Sequence, residues 1–320
     1  VSQLIRQPLL LDELLDPRRL YSPLHKGELV EELHTLLQSV DDGDVEQEME
    51  RLRQFSQGNR LRVAAADIVG AIPLMVVSDY LTEIAEVTLK RVQASAWRDM
   101  HRKYGRPGGI AGDENGFAVI GYGKLGGFEL GYGSDLDLVF LHDSAGSEQK
   151  TAGAKPVDNN VFLTRLGQRI IHMLETFTAA GVLYEVDMRL RPSGASGLLV
   201  SSLDAFRQYQ QQEAWIWEHQ ALVRARPVAG DPHPRLGGVR DGRRAGDPRR
   251  AAGHGVLHAV DLRGRHGAVD RAGGAARRDQ SAGRWLARPV RALAQQPVVA
   301  AADRGGPGPA VGDLAVVATS

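Results

Sequence analysis

Two aspartates, Asp135 and Asp137, are the residues of this chain whose type and spacing best suit chemistry. They stand in GYGKLGGFELGYGSDLDLVFLHD, residues 121–143. If this part forms a strand, both carboxylates project from one face, and Leu136 and Leu138 face the core. Adjacent carboxylates repel each other unless a cation lies between them. Hard cations such as Mg²⁺ combine carboxylate oxygens with substrate phosphates, so the spacing favours a metal-assisted phosphate site.

The glycines that precede the acids predict close approach of backbone N–H groups to a phosphate chain. GYGKLG matches the dinucleotide-binding pattern, but Gly131 and Gly133 leave no room for the long helix that this fold requires. A Walker A loop needs Ser or Thr after its lysine, where Leu125 stands. We therefore expect a phosphate-positioning turn between two strands, to which Lys124 or Ser134 adds a contact.

A third acid, Asp187, lies in LYEVDMRLRP, which the alternation predicts to be a strand. On such a strand Asp187, Arg189 and Arg191 share one face. An acid beside two arginines suits a metal ligand next to groups that neutralise phosphate charge. An ordinary surface network, in which Asp187 pairs with one of the arginines, explains the same pattern.

The first part of the chain, residues 1–107, has helical periodicity. Helices are expected over EMERLRQFSQGNRLRVAAADI and over VSDYLTEIAEVTLKRVQASAWRDM. In the second, Ser78 is the expected N-cap, and RKYGRPGG is expected to end the helix.

The part from residue 112 to residue 230 alternates strands and helices, which predicts an α+β fold. The expected strands are GFAVIGY, SDLDLVFLHD and VLYEVDMRLRPSG. NNVFLTRLGQRIIHMLETFTAAG is an amphipathic helix whose apolar stripe extends to Phe177, with Gly181 at its C-terminal end. SLDAFRQYQQ opens another helix, capped by Ser202 or Asp204.

Residues 231–320 differ in composition from the rest, because they contain no Ile, Phe, Tyr, Met, Lys, Glu or Asn. Gly, Ala, Arg and Pro dominate this irregular tail, and these are the residues that GC-only codons encode. The tail is either a disordered basic segment or an out-of-frame translation, and the composition favours the second. We place no catalytic role there.

The bulk numbers exclude several classes of protein. The formal net charge is zero and there is no cysteine, which argues against a nucleic-acid partner and excludes a disulfide scaffold or a cysteine-based zinc site. No apolar run reaches the roughly 18 residues that span a bilayer. We expect a soluble, cytoplasmic protein without membrane association.

Some remaining polar and aromatic residues near the sheet have two interpretations. His142 is a ligand or, more simply, a surface histidine at a strand end. Trp215 and Trp217 form a recognition surface or, as we favour, pack a helix against the sheet. Arg224 and Arg226 alternate in an expected strand, and they either contact a phosphate of the substrate or, equally well, line an exposed strand face.

The order of a glycine-rich turn, a Ser-Asp-x-Asp strand, a helix and an acid on a third strand resembles the DNA polymerase β-like nucleotidyltransferase superfamily. More closely, the glycine-rich segment, LYEVDMRLRPSGASGLLVSS and EAWIWEHQALVRARPVAGD resemble the adenylylating domain of the glutamine synthetase adenylyltransferase family, over roughly residues 112–232. The likeness is weaker in LLDELLDP and RLRVAAADIVG. It implies metal ligands at Asp135, Asp137 and Asp187. It implies triphosphate contacts at Gly123, Lys124, Gly126, Gly127 and Ser134. For Arg189 and Arg191 it implies either neutralisation of charge near the phosphates or orientation of the incoming tyrosine.

The same resemblance implies an activity. It is Mg²⁺-dependent transfer of AMP from ATP to a tyrosine of glutamine synthetase, under the influence of a PII-type signalling protein. Adenylyl removal by phosphorolysis on the same fold is an alternative, as is a truncated nucleotide-binding regulator without turnover. An antibiotic nucleotidyltransferase would share the acid pair, but it is not expected to contain WEHQALVRAR.

Overall fold

A computed structural model describes residues 20–110, 115–144, 149–178 and 180–231. Its helices are α1 (Lys26–Leu37), α2 (Val45–Ile68), α3 (Leu74–Tyr104), the single turn α4 (Gly123–Gly126), α5 (Asn159–Glu175), α6 (Leu203–Gln212) and α7 (Ile216–Leu222). Its strands are β1 (Phe117–Gly121), β2 (Leu136–His142), β3 (Val186–Asp187), β4 (Val200–Ser202) and β5 (Arg226–Gly230). The predicted α+β class is confirmed.

Three sequence predictions reach residues that lie outside these ranges. They are the helical character expected for residues 1–19, the weak family likeness in LLDELLDP and the interpretation of the tail beyond residue 231. Where the structure does describe the chain, it contains no helix that is both long and apolar enough to cross a membrane.

The sheet is built around β1 and β2, the two strands that flank the glycine-rich turn. β1 pairs antiparallel with β2 on one side and with β5 on the other. The outer edge of β2 pairs in parallel with β3 at its beginning and with β4 at its end. A dinucleotide-binding unit requires parallel strands joined by a helix, so the antiparallel β1–β2 pair agrees with our rejection of that fold.

The residues of β1 are all buried because the sheet is covered on both faces. Phe117 and Val119 point into a core built with α1, α2, α3 and α5. Ala118 and Ile120 point into a second core that includes Leu203 and other residues of α6 and α7. A strand covered on both faces has no polar side, which explains why GFAVIGY is a continuous apolar run.

The long helices α2 and α3 were predicted from periodicity and are confirmed. The predicted stripe on α3, which includes Tyr80 and Ile84, is buried, and the helix ends before Gly105, which has a φ of +76°. The predicted N-cap at Ser78 is wrong, because α3 begins at Leu74 after Pro73. Proline fixes φ and is tolerated at a helix start, so it sets the boundary here.

Helix α5 also follows the prediction, except at its C-terminal end. Its buried face includes Phe162 and Leu174. However, the helix ends at Glu175, and Phe177 lies beyond it with a side chain that is 70% exposed. Gly181 is not the helix cap, since it closes a short turn with Thr178 by reciprocal backbone hydrogen bonds.

The buried guanidinium of Arg53, from α2, binds this C-terminal end of α5. It donates to the carbonyl oxygens of Met49 (2.8 Å), Gly181 (2.8 Å), Met173 (3.3 Å) and Thr176. The last carbonyls of a helix lack intrahelical partners and attract cations. Arg53 thus connects the N-terminal helices to the part that contains the sheet.

Helix α6 begins at a side-chain cap that the sequence predicted. The hydroxyl oxygen of Ser202 accepts a hydrogen bond from the backbone N–H of Ala205 at 3.2 Å. Ser202→Ala should lower the free energy of unfolding by about 1 kcal/mol, because that N–H loses its partner. Urea unfolding of Ser202→Ala measures the loss. Ser196→Ala, which changes an exposed serine, is the control and should change stability by less than about 0.5 kcal/mol.

Candidate active site

Asp137 and Asp187 lie side by side on neighbouring strands. In the parallel pairing of β2 with β3, Leu136 is opposite Val186 and Asp137 is opposite Asp187. Directly opposite residues of neighbouring strands, about 4.8 Å apart, project from the same face. Asp135 immediately precedes β2 and is exposed. The three acids predicted from the sequence therefore come together at the start of β2.

The electrostatic environment of Asp137 shows how close these groups are. Burial raises the pKa of Asp137, and the carboxylates of Asp135 and Asp187 raise it further. The cations of Arg189 and Lys124 act in the opposite direction. Removal from water and neighbouring negative charge both disfavour the ionised form. This corner of the sheet thus holds excess negative charge that a cation would stabilise.

Asp187 is engaged by Arg189, as in the surface-network interpretation of the sequence. Both carboxylate oxygens accept hydrogen bonds from the guanidinium, at 3.0 and 2.8 Å from its Nε, and one also accepts from the Arg189 backbone N–H at 2.8 Å. These bonds lower the pKa of Asp187. The Arg189 side chain is 81% exposed, whereas that of Asp187 is 12% exposed, so the arginine contacts the acid from the solvent side.

The prediction that Asp187, Arg189 and Arg191 share a strand face is wrong. β3 contains only two residues and ends at Asp187, and the chain turns at Arg189. The guanidinium of Arg191 donates to the carbonyl oxygens of Met188 (2.8 Å), Ala195 (3.1 Å) and Gly197 (3.4 Å). In this structure its donors therefore hold the loop after β3.

The glycine-rich turn begins directly against Asp137. The backbone N–H of Tyr122 donates to the Asp137 carbonyl oxygen at 2.9 Å. Gly123 has a φ of +52°, and a Cβ at this position would lie 2.2 Å from an Asp137 carboxylate oxygen. Only glycine combines this conformation with so close an approach. Lys124 follows, exposed and near enough to Asp137 to lower its pKa.

The other predicted phosphate contacts have local roles in the structure. The N–H groups of Gly126 and Gly127 close the α4 turn by donating to the carbonyl oxygens of Tyr122 (2.8 Å) and Gly123 (3.0 Å). The Ser134 hydroxyl oxygen accepts the N–H of Gly131 at 3.0 Å. The Ser134 hydroxyl hydrogen is still able to donate to a ligand, since this bond uses the oxygen as acceptor.

Arg226 is a residue of this region whose role sequence reasoning missed. Both interpretations of Arg226 assumed an exposed side chain, but it is buried and donates to the carbonyl oxygens of Leu125 (2.9 Å) and Gly126 (3.1 Å). Arg224 is exposed and pairs with Glu129 at 2.6 Å. The local sequence RARPVAG does not distinguish the two arginines, because β5 lies at the edge of the sheet beside β1 and the burial of Arg226 depends on contacts with a distant segment.

Two further sequence interpretations are corrected. His142 is buried at the end of β2, where burial lowers its pKa, so the surface interpretation is wrong. Trp215 and Trp217 were expected to pack against the sheet, but they are 71% and 53% exposed. The residues of α7 that do pack inward are Glu218 and Leu222.

The described residues contain no group of three or more His, Cys, Asp or Glu side chains already placed to hold a metal ion. At the three acids, the hydrogen bonds from Arg189 occupy both oxygens of Asp187. The donor set itself fits a hard divalent cation, since it consists of carboxylate oxygens, and burial together with their mutual repulsion raises the pKa of Asp137.

Comparison with known proteins places these residues in a family. The glutamate-ammonia ligase adenylyltransferase family model matches residues 1–237. Three curated relatives carry the name bifunctional glutamine synthetase adenylyltransferase/adenylyl-removing enzyme. That of Thioalkalivibrio sulfidiphilus is 63% identical over 237 residues, that of Nitrosococcus oceani 60% over 232 and that of Pseudomonas putida 58% over 231.

These alignments cover 72–73% of this chain but only 24% of each relative, so the chain spans about a quarter of their length. The matched range contains every predicted site residue, from Gly123 to Arg191. Because the family model covers 237 of the 320 residues, the chain belongs to the glutamate-ammonia ligase adenylyltransferase family.

Proposed function

We propose that this chain carries a nucleotidyl-transfer site that moves AMP from ATP to a tyrosine hydroxyl of glutamine synthetase. The observation that carries the proposal is the convergence of Asp135, Asp137 and Asp187 beside a glycine-rich turn, in a chain of this family. In the reaction the tyrosine oxygen forms a bond to the α-phosphorus of ATP. The bond between the α-phosphorus and the oxygen that joins it to the β-phosphorus breaks, and pyrophosphate leaves.

The three carboxylates are proposed to hold Mg²⁺, with Asp135 and Asp137 as the first ligands and Asp187 as the third. Bound Mg²⁺ would stabilise the charge of the triphosphate and lower the pKa of the attacking phenol, which is about 10 in water. Gly123 and Lys124 are proposed to position the triphosphate against the acids, and Ser134 to donate its hydroxyl hydrogen to a phosphate oxygen.

Asp187 has a second proposed task, which depends on Arg189. The hydrogen bonds from Arg189 keep the pKa of Asp187 low, so in this arrangement its carboxylate is a weak base. If Arg189 moves to a phosphate oxygen, the pKa of Asp187 rises and the carboxylate becomes a better acceptor for the tyrosine proton. Arg191, each of whose three guanidinium nitrogens donates to a backbone carbonyl, is a weaker candidate for phosphate contact.

The direction of the reaction is tested by two assays on the same chain. In the first, glutamine synthetase is incubated with Mg²⁺ and ATP labelled at the α-phosphorus, and label on the protein is measured. In the second, adenylylated glutamine synthetase is incubated with orthophosphate, and ADP release is measured. Transfer without ADP release supports the proposal, whereas ADP release alone supports the alternative of adenylyl removal.

Binding without either product would favour a nucleotide-binding regulator. The relatives' names include both activities, and the chain spans only a quarter of their length, which is why both directions are assayed. A PII-type signalling protein is the proposed regulatory partner. Its addition should change the transfer rate if its binding surface lies within this chain.

Arg189→Ala should strengthen divalent-cation binding severalfold. The substitution frees both oxygens of Asp187 and removes a cation that lowers the pKa of Asp137, so more negative charge is available to the ion. Titration with Mn²⁺ followed by electron paramagnetic resonance measures the affinity. Arg207→Ala, which removes the partner of Asp204 on α6, is the control. Weaker binding in Arg189→Ala would show instead that Arg189 orients Asp187 for the ion.

A further inference from the structure

The buried guanidinium of Arg226 connects the glycine-rich turn to β5. Its Nη2 donates to the carbonyl oxygen of Leu125 at 2.9 Å, and its Nε donates to that of Gly126 at 3.1 Å. Both carbonyls belong to the single turn α4, which begins at Gly123. A planar guanidinium that binds two neighbouring carbonyls fixes their orientation, which the single charged group of a lysine cannot do.

The same guanidinium stacks on Phe128, the residue that leads the chain out of the turn. Its central carbon lies 3.9 Å from the centre of the Phe128 ring. Phe128 has a φ of +58°, which is uncommon for a residue with a side chain and costs energy unless the surroundings hold it. Arg226 therefore contacts the turn on its carbonyls and on the strained residue that follows it.

The third contact of Arg226 reaches the N-terminal helices. Its Nη1 forms an ion pair with Glu86 of α3, and Glu86 also pairs with Lys26 of α1. The side chains of Arg226 and Glu86 are both buried. Burial lowers the pKa of Arg226, and Glu86 raises it again. A buried charge must be paired, so the position of α3 and that of the glycine-rich turn are linked through this one side chain.

We propose that Arg226, held by Glu86, is a positioning residue that sets the conformation of the glycine-rich turn for the triphosphate of ATP. This inference rests on the proposed function, because it assigns a purpose to the same turn. The hydrogen bonds and the ion pair described for Arg226 go to the turn and to Glu86, and none of them involves the three acids. Its effect on nucleotide binding passes through the carbonyls of Leu125 and Gly126, which fix where Gly123 and Lys124 lie.

Arg226→Lys tests this role without removing the buried charge. Lysine retains a cation for Glu86 but loses the two-carbonyl contact and the flat stacking on Phe128. The affinity for ATP with Mg²⁺, measured by calorimetry on the full chain, should fall about tenfold, since hydrogen bonds from a charged group are among the stronger ones. Hydrogen exchange should accelerate in residues 121–130, where the amides of Gly126 and Gly127 close α4.

Arg53→Lys is the matched control. Arg53 is likewise a buried arginine that donates to several backbone carbonyls, but these belong to α2 and to the end of α5 with its following turn. It should lower thermal stability as Arg226→Lys does and leave both the ATP affinity and the exchange of residues 121–130 unchanged. If Arg226→Lys and Arg53→Lys change the ATP affinity and the exchange of residues 121–130 equally, Arg226 has only a general packing role, and the inference is overturned.

Glu86→Gln provides a second test that keeps the size of the side chain. It leaves Arg226 without its ion pair and should weaken ATP binding in the same direction as Arg226→Lys, with faster exchange at the same amides. If wild-type chain binds no ATP, the proposed function fails, and the exchange data alone decide whether Arg226 holds the turn. If amide hydrogen exchange of residues 121–130 is unchanged in both Arg226→Lys and Glu86→Gln, the inference is rejected, whatever the affinity of these variants for ATP.

Discussion

Asp137→Asn is expected to reduce AMP transfer by about 10³-fold or more, the range seen when a group that acts as part of a catalytic unit is removed. Asp137 is opposite Asp187, is close enough to Asp135 for that carboxylate to raise its pKa after burial has done so, and has a carboxylate oxygen against Gly123. An amide oxygen has almost the same shape as the carboxylate but no charge, so the proposed metal site loses a ligand of full charge. The measurement is label transfer from ATP to glutamine synthetase at saturating Mg²⁺.

The same substitution should stabilise the protein in the absence of divalent cations. The folded-state pKa of Asp137 is raised, first by burial and then by its acidic neighbours. A group whose pKa is higher in the folded protein than in the unfolded chain stabilises the fold below its unfolded-state pKa, which is about 4 for aspartate. This contribution to the free energy of unfolding is lost as the pH rises through the folded-state pKa. At neutral pH the ionised carboxylate therefore opposes folding, and asparagine does not.

Thermal unfolding across pH separates this effect from damage to the fold. The melting temperature of Asp137→Asn should exceed that of the wild type at neutral pH, and the difference should shrink on acidification. Added Mg²⁺ should stabilise the wild type more than the variant. Asp204→Asn, on the first turn of α6, is the control for the chemical change alone. Wild-type transfer by Asp137→Asn would falsify the metal assignment.

The strands and helices were predictable wherever local pattern decides structure. The apolar run of β1, the alternation that begins β2 and the stripe of α5 each contain their own signal. Asp137 and Asp187 were recognised as candidates because alternation places an acid outside when its neighbours are apolar. Asp187 was proposed as the third acid because a phosphate site with metal ions needs a further carboxylate, and the family likeness agreed with this choice.

What the sequence could not provide depends on contacts between distant segments. Arg226 contacts Gly126, 100 positions away in the chain, and Arg53 contacts Gly181, 128 positions away. Such arginines cannot be told from surface arginines by periodicity alone. The prediction of a long third strand was wrong for a related reason. β3 ends at Asp187, and in the loop that follows, backbone carbonyl oxygens accept hydrogen bonds from the guanidinium of Arg191.

Gly126→Ala should destabilise the protein strongly, although the residue lies in a helical turn. A Cβ at Gly126 would lie 1.9 Å from the carbonyl oxygen of Arg224 and 2.6 Å from that of Gly121. Both neighbours are backbone atoms, one at the end of β1 and the other two residues before β5, so neither moves without shifting the chain around it. Overpacking of this kind costs about 3 kcal/mol at the upper end of its usual range. Alanine regains at most about 1 kcal/mol of helix propensity, so we expect a net loss of about 2 kcal/mol or more.

The loss should also be specific to the turn and its function. The Gly126 carbonyl is one of the two that Arg226 binds, so displacement of this residue disturbs the position of Gly123 and Lys124 as well. Urea unfolding measures the stability, and calorimetry with ATP and Mg²⁺ measures the binding that remains in the folded fraction. We expect both to fall together, because Gly126 lies in the same single turn as Gly123, which approaches the carboxylate of Asp137.

Gly133→Ala is the matched control within the same segment. A Cβ at Gly133 would meet no atom within 4 Å, so the substitution adds a methyl group to open space. It should change the free energy of unfolding by less than about 0.5 kcal/mol. If Gly126→Ala is as stable as Gly133→Ala, the backbones of Gly126 and Arg224 do not approach as closely as described. The glycine at 126 would then serve the phosphate chain directly, as first predicted from the sequence, and its role in packing would have to be abandoned.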